Sequence, residues 1–319
     1  MARGLRSVGI EDVMEIPLAD GGEGTLDVIL ASRGGARRLA SVTGPLGDPV
    51  DAEWAILGDG TAIVEMARAS GRALVPDNRR DPLGASTRGT GELIAAAIRA
   101  GATRVIVGVG GSATTDGGLA AVQALDWSFG AVPVTVACDV RTSFLDAASR
   151  FGPQKGASPA QVGLLTRRLE QVAGLYHDRV GVDVTGWEGA GAAGGLAGGL
   201  AAIGATIEPG FDVVAEVVGL EAALERAQLV ITGEGKLDRT SFDGKVVGGV
   251  LEVAGDLSVA HRAVIAGQVT DEAREELSVM GDVIALALTD RVWQAGEAFA
   301  RAGLLVEEAA VEIARTIGS

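Results

Sequence analysis

The stretch Leu229-Val230-Ile231-Thr232-Gly233-Glu234-Gly235-Lys236-Leu237-Asp238, closed by Gly244-Lys245, decides the fold. An apolar, β-branched run enters a turn made of two glycines, a carboxylate, a lysine and a second carboxylate. A glycine-flanked helix start follows. That order places charged groups at the carboxyl end of a strand, where open α/β sheets bind their ligands. Alone, the same residues also read as an ordinary strand-to-helix turn with solvated charges. The rest of the chain has to discriminate.

Downstream the rhythm continues. Strands at 228–232, 262–266 and 282–287 alternate with helices at 244–254, 271–279 and 291–316, the pattern of right-handed crossovers and a parallel sheet. Near the start, residues 1–8 read as the end of a helix and Val13-Met14-Glu15-Ile16-Pro17-Leu18 as a fourth strand. That strand runs into a second glycine-carboxylate turn, Ala19-Asp20-Gly21-Gly22-Glu23-Gly24-Thr25. A doubly wound sheet of flavodoxin type has five strands, so the first, central one is expected to be absent. Between residues 42 and 66 the pattern turns to short antiparallel strands with a hairpin signal at Gly58-Asp59-Gly60. The expectation is therefore a two-domain α/β protein. Residues 1–41 and 227–319 form a flavodoxin-like, doubly wound parallel sheet from both chain ends, and residues 42–226 form an inserted, partly antiparallel α/β domain.

The totals agree with a large packed core. The chain has 319 residues, 47% of them hydrophobic, with 48 glycines and only 3% aromatics. Acidic residues outnumber basic ones 42 to 27, a net charge of −15. Such a surface repels nucleic acid and anionic membranes, so neither is an expected partner and an anionic ligand needs a local positive site. One cysteine, Cys138, excludes an internal disulfide and a Cys-based zinc cluster. No apolar signal segment follows Met1, and the expected location is the cytoplasm. The charge-free stretch Gly189 to Ile207 is mostly Gly and Ala, with Leu196, Leu200, Ile203 and Ile207 at helical spacing. It reads as one tightly packed soluble helix.

Three turns share the grammar of strand, glycine-rich loop, carboxylate and helix: Asp20 to Thr25, Gly110 to Gly118, and Gly233 to Lys245. Backbone N–H groups in such loops suit phosphates, and the carboxylates suit Mg²⁺ or a general base. Lys155, Lys236 and Lys245 supply positive charge for phosphoryl oxygens. Together these are the parts of phosphoryl transfer. No G-x-x-x-x-G-K-[ST] loop, protein-kinase signature or dinucleotide fingerprint is present. His177 and His261 stand without the acid and serine of a hydrolase triad and read as surface or packing residues.

Six motifs in order carry a resemblance. They are Ala19-Asp20-Gly21-Gly22-Glu23-Gly24-Thr25, Thr43-Gly44-Pro45-Leu46-Gly47, Ser86-Thr87-Arg88-Gly89-Thr90-Gly91, Gly110-Gly111-Ser112-Ala113-Thr114, Phe151-Gly152-Pro153-Gln154-Lys155-Gly156-Ala157 and Ile231-Thr232-Gly233-Glu234-Gly235-Lys236-Leu237-Asp238. Over nearly its whole length the chain resembles the bacterial glycerate kinase type 1 family. The resemblance implies ATP-dependent phosphorylation of D-glycerate, usually at the 2-hydroxyl to give 2-phosphoglycerate, in glyoxylate or sugar-acid catabolism. It also implies the two-domain layout, with the site in the cleft between the domains. The family's opening strand with its Asp-Ser-Phe-Lys-Gly-like motif is not in this sequence. Thr115, Thr240 and Val247 stand where the family tends to have Asn, Gln and Pro.

The residues assigned on this basis are Asp20, Asp238 and Lys236 for catalysis, with Asp20 and Asp238 as the expected Mg²⁺ ligands. Gly110, Gly111, Ser112, Thr114, Asp116, Lys155, Glu234 and Lys245 are expected to hold ATP. Two other readings stay open. One is a non-catalytic remnant that binds a small sugar acid, and the other is a kinase for a different hydroxy-acid. Oligomeric state is not readable from the sequence.

Overall fold

The computed structural model describes residues 1–293 and 295–318. The chain divides into two compact units: a middle unit, Leu18–Val214, and a terminal unit made of Met1–Pro17 and Ala215–Ser319.

The middle unit is built on a six-stranded sheet, β1 (Ala36–Thr43), β2 (Pro49–Ile56), β3 (Thr61–Glu65), β4 (Arg104–Gly108), β5 (Val134–Cys138) and β6 (Thr206–Pro209), in spatial order 1-2-3-4-5-6. The first two pairings are antiparallel and the last three parallel. The hairpin at Gly58–Gly60 forms as expected: Asp59 Oδ1 accepts the Thr61 N–H at 2.9 Å. Strands β3 to β5 are buried along both faces, as parallel strands covered by helices are. β1 is an edge strand with a wet face, which explains why its charged start, Ala36-Arg37-Arg38, carries no strand signal in the sequence.

The terminal unit holds a three-stranded parallel sheet, β7 (Leu229–Thr232), β9 (His261–Ala266) and β11 (Val283–Ala287), in order 11-9-7. A two-residue parallel ladder, β8 (Lys236–Leu237) with β10 (Gln268–Val269), ties the charged turn after β7 to the end of β9. No local pattern in the sequence announces this ladder. One core packs Leu5, Ala263, Ile265, Leu305, Ala309 and Ile313 together; another packs Leu237, Val247, Leu251, Val264 and Leu277.

The mixed α/β class with mostly parallel, partly antiparallel sheets holds, but four details differ from the sequence expectation. Val13–Leu18 forms no strand. β7 pairs on one side only, with β9, and an extended segment with no neighbouring ladder to complete does not become a strand. The units divide at Pro17/Leu18 and Val214/Ala215, not near 41 and 227, so the Asp20 turn belongs with the six-stranded sheet. The expected helix 291–316 is two helices, Ala295–Ala300 and Ala302–Ile317. Finally, Ile207 lies in β6, while Leu196 and Leu200 are buried in the helix Ala192–Ala202. Regular helix there begins only after Ala193, Gly194 and Gly195, all three in the left-handed region.

One buried carboxylate helps hold the segment after the Asp20 turn on the middle unit. Glu65, at the end of β3, is 3% exposed; its Oε1 accepts the Leu26 N–H at 2.9 Å and its Oε2 the Arg68 Nε–H at 2.6 Å. Arg68 also donates to Glu53 and to Asp27 on the first turn of the helix Thr25–Arg33. This network fastens the helix after the Asp20 turn onto the middle unit. Glu65→Ala leaves the Arg68 Nε–H and the buried Leu26 N–H without their acceptor, and is expected to cost about 1–3 kcal/mol in urea unfolding. A loss below about 0.5 kcal/mol would show that the network carries no weight.

Candidate functional site

In the middle unit, the Asp20 turn and the Gly110 loop pack directly on each other at the carboxyl ends of the parallel strands. A Cβ at Gly110 would lie 2.7 Å from Gly22 Cα, one at Gly111 would strike the Glu23 carboxylate, and one at Gly21 would lie 2.9 Å from the Ala137 carbonyl at the end of β5. Glycine is required because backbone meets backbone. Asp20 Oδ1 accepts the Gly22 N–H at 3.1 Å, and its second oxygen has no partner among the described residues.

The Gly110 loop is held from one side. Arg72 N–H donates to the Gly111 carbonyl at 2.8 Å and Ala113 N–H to the Ser70 carbonyl at 3.0 Å, the two bonds of an isolated bridge between Gly71 and Ser112. The N–H groups of Gly110, Gly111 and Ser112 have no acceptor among the described residues. Three successive free donors, with Gly111 at φ +72°, are the kind of group an anion nest presents.

Thr114, Asp116 and Lys155, expected at the ATP site, also make hydrogen bonds within the protein. Lys155 is 4% exposed and its Nζ donates to the Thr114 carbonyl at 2.5 Å. Asp116 Oδ2 accepts both the Thr87 N–H and the Thr87 hydroxyl at 2.9 Å, and Oδ1 accepts the Gly118 N–H at 3.2 Å. Asp116 therefore ties the start of the helix Arg88–Arg99 to the start of the helix Leu119–Ala124. Lys155 and Asp116 act within the loop's own scaffold. Burial raises the Asp116 carboxyl pKa, against the pull of its three donors. Burial also lowers the Lys155 ammonium to about 7, with Asp116 opposing that shift. Thr115 Oγ1 is buried without a partner.

The Lys155 shift has a measurable sign. The folded chain binds this proton more weakly than the unfolded chain, whose lysine titrates near its ordinary 10.5. Between about pH 7 and about 10.5 the unfolded state holds the extra proton, so raising pH through that window stabilises the fold. Lys155→Met removes this dependence. Wild type is expected to gain stability relative to the variant between about pH 6.5 and about pH 9.5 in urea unfolding; a constant difference would contradict the buried, weakened ammonium.

In the terminal unit the turn after β7 gathers a compact constellation. Asp238 caps the short helix Arg239–Phe242: its Oδ1 accepts the Thr240 N–H at 3.0 Å and the Thr240 hydroxyl at 2.7 Å, while its own N–H donates to Ser241 Oγ at 3.1 Å. Lys236 Nζ stands 3.6 Å from Asp238 Oδ2, and Lys245 Nζ donates to Thr240 Oγ1 at 3.2 Å. Lys245 is also the N-cap of the helix Val246–Asp256. The Thr240 hydroxyl, then Lys236 among the weaker causes, holds the Asp238 carboxyl below the usual range, so it is ionised at neutral pH. Glu234 Oε1 is shut off from solvent with no hydrogen-bond partner among the described residues. Thr240 is the residue the sequence reading underrated: its hydroxyl joins Asp238 to Lys245.

Asp20 and Asp238 fall in different units, and among the described residues no three His, Cys, Asp or Glu side chains gather as a metal cage. Mg²⁺ bound with phosphates commonly takes only one or two carboxylates, the rest being phosphate oxygens and water. Asp238 Oδ2, engaged only by the long Lys236 contact, fits that mode. His177 is on the surface beside Asp178, and Cys138 is a buried thiol pushed up to about 11 by burial. No helix among the described residues is long and apolar enough to cross a membrane.

Comparison with known proteins gives one answer. The family model for the glycerate kinase family matches residues 1–131 and 128–318. The chain is 44% identical to the glycerate 2-kinase of Escherichia coli strain K12, across 81% of this chain and 77% of that protein. It is 40% identical to the glycerate kinase of Bacillus subtilis strain 168, across 79% and 75%. A crystal structure described as glycerate kinase 2 from Salmonella typhimurium LT2 matches with a TM-score of 0.85 at 36% identity, covering 99% of this chain and 92% of that one. On the ordered motifs, the fold and these relatives, the chain belongs to the glycerate kinase family.

Proposed function

We propose that the protein is an ATP-dependent kinase of the cytoplasm that phosphorylates D-glycerate at its 2-hydroxyl. The observation that carries this reading is the Lys236–Asp238–Thr240–Lys245 constellation: an ionised carboxylate with one open oxygen between two ammonium groups. Phosphoryl transfer asks a protein for positioning and charge neutralisation more than for covalent chemistry. Lys236 and Lys245 neutralise phosphoryl oxygens, and Asp238 accepts the hydrogen bond, then the proton, of the attacking hydroxyl. A carboxylate of lowered pKa is a weak base, and that suffices where the transition state is loose and the proton leaves late. The nest at Gly110–Ser112 suits phosphate oxygens. Asp238, with Asp20 as the second candidate, would hold Mg²⁺, which would supply charge neutralisation for the donor's phosphates.

The choice of the 2-hydroxyl and of glycerate follows the names of the relatives. A coupled assay with ATP, Mg²⁺ and D-glycerate is the test, with the phosphorylated product assigned by NMR. Turnover giving 2-phosphoglycerate supports the proposal. Turnover with tartronate or an aldonate but not glycerate moves the acceptor, and no turnover by a folded sample overturns the activity.

A further inference from the structure

The middle unit contains a cleft of about 410 Å³ that none of the residues above fills. It lies between the loop at Leu83–Ser86, the helix Leu119–Ala124 and the helix Pro159–Val180. Its volume is in the range of small-molecule sites. The walls are Leu83, Leu119, Ala120, Val172 and Leu175, and Leu175 keeps 38% of its surface exposed on this cleft-lining helix. At the floor is Asp116, whose carboxylate already accepts three hydrogen bonds from Thr87 and Gly118.

The polar groups in the cleft are of a particular kind. Arg168 is fixed in place because its Nη1 donates to the Leu83 carbonyl at 2.8 Å, and no carboxylate pairs with it among the described residues. Gln123 and Gln171 also line the cleft, and their carboxamides have no protein partner among the described residues. Each offers two donors and one acceptor. Apolar walls, a planar guanidinium and free carboxamides suit a flat heteroaromatic ring. The walls cover its faces, the guanidinium stacks on it, and a glutamine amide matches the adjacent donor and acceptor on an adenine edge. A bare phosphate or carboxylate would use Arg168 and leave the apolar walls idle.

The cleft is also connected to the anion nest. Asp116 ends the loop that begins with the free N–H groups of Gly110, Gly111 and Ser112. Ser112 and Asp116 are four positions apart, a span of at most about 14 Å even if fully extended.

We propose that this cleft is the subsite for the purine base of the phosphoryl donor, an inference that rests on the kinase reading above. The base lies against Leu119 and Ala120, its edge meets Gln123 and Gln171, and the phosphates follow the loop toward Gly110. The test uses two variants of the full chain. Ala120→Trp fills the cleft, and Gln171→Leu removes an amide without filling it. ATP KM is expected to rise at least about tenfold in the first and about threefold in the second, while D-glycerate KM and inhibition by inorganic tripolyphosphate, which has no base, stay as in wild type. Photolabelling with 8-azidoadenosine is expected to mark peptides from 119–124 and 159–180. Unchanged ATP KM in both folded variants, or a label placed elsewhere, overturns the subsite. If wild type turns over no nucleotide, the kinase reading fails. The label on unmodified protein then still decides whether the cleft takes a purine.

Discussion

Asp238→Asn is expected to lower turnover about 10²- to 10³-fold with little change in stability. The asparagine carbonyl oxygen can still accept the Thr240 N–H and hydroxyl that hold the turn, so the cap and the Arg239–Phe242 helix survive. What disappears is the negative charge beside Lys236, and with it the group proposed to accept the proton or to hold the metal. Loss of a positioned general base costs about 10²- to 10⁴-fold, and the loose transition state of phosphoryl transfer places the expectation toward the lower part of that range. The measurement is kcat in the coupled assay, with thermal unfolding as control. Full activity in Asp238→Asn alongside loss in Asp20→Asn would transfer the role to Asp20.

Gly194→Ala is expected to destabilise the middle unit by about 2–5 kcal/mol, the largest stability effect anticipated here. Gly194 has φ +70°, and a Cβ there would land on the Thr114 carbonyl oxygen, the acceptor that Lys155 already holds. The left-handed conformation costs an alanine about 1–2 kcal/mol, and forcing the backbones apart adds about 1–3 kcal/mol. The Gly194 carbonyl also accepts the Gly117 N–H at 3.0 Å, so a shift would carry the Gly110–Gly118 loop with it. Urea unfolding followed by far-UV circular dichroism reads the effect. A loss under about 1 kcal/mol would mean that the loop is not locked in this way.

Much of the site was legible because the chemistry is local in sequence. Gly233-Glu234-Gly235-Lys236-Leu237-Asp238 followed by Gly244-Lys245 places two ammonium groups and a carboxylate on one strand-to-helix turn, and the structure keeps them together. The Gly110–Ser112 nest was readable for the same reason, since its free N–H groups are consecutive. The contacts that Asp116 and Lys155 make within the protein were not legible because their partners are distant in sequence. Asp116 meets Thr87, 29 residues away, and Lys155 meets Thr114, 41 residues away. A charged residue beside a glycine loop looks the same in a sequence whether it faces a ligand or braces the loop from beneath.

The sequence alone determined the α/β class, the alternation of strand and helix after residue 228 and the hairpin at Gly58–Gly60. These follow from hydrophobic period and turn residues, which act over a few residues. Only the tertiary structure decided which unit each turn serves. A fourth strand at Val13–Leu18 needed a neighbouring ladder that the fold does not offer, and the Asp20 turn went to the six-stranded sheet, where buried Glu65 helps hold the helix that follows it. Strand pairing and buried carboxylate contacts join residues tens of positions apart, and local pattern carries no record of them. The turn from Leu229 to Lys245 was legible from end to end, whereas the ladder that fixes it, β8 on β10, was not.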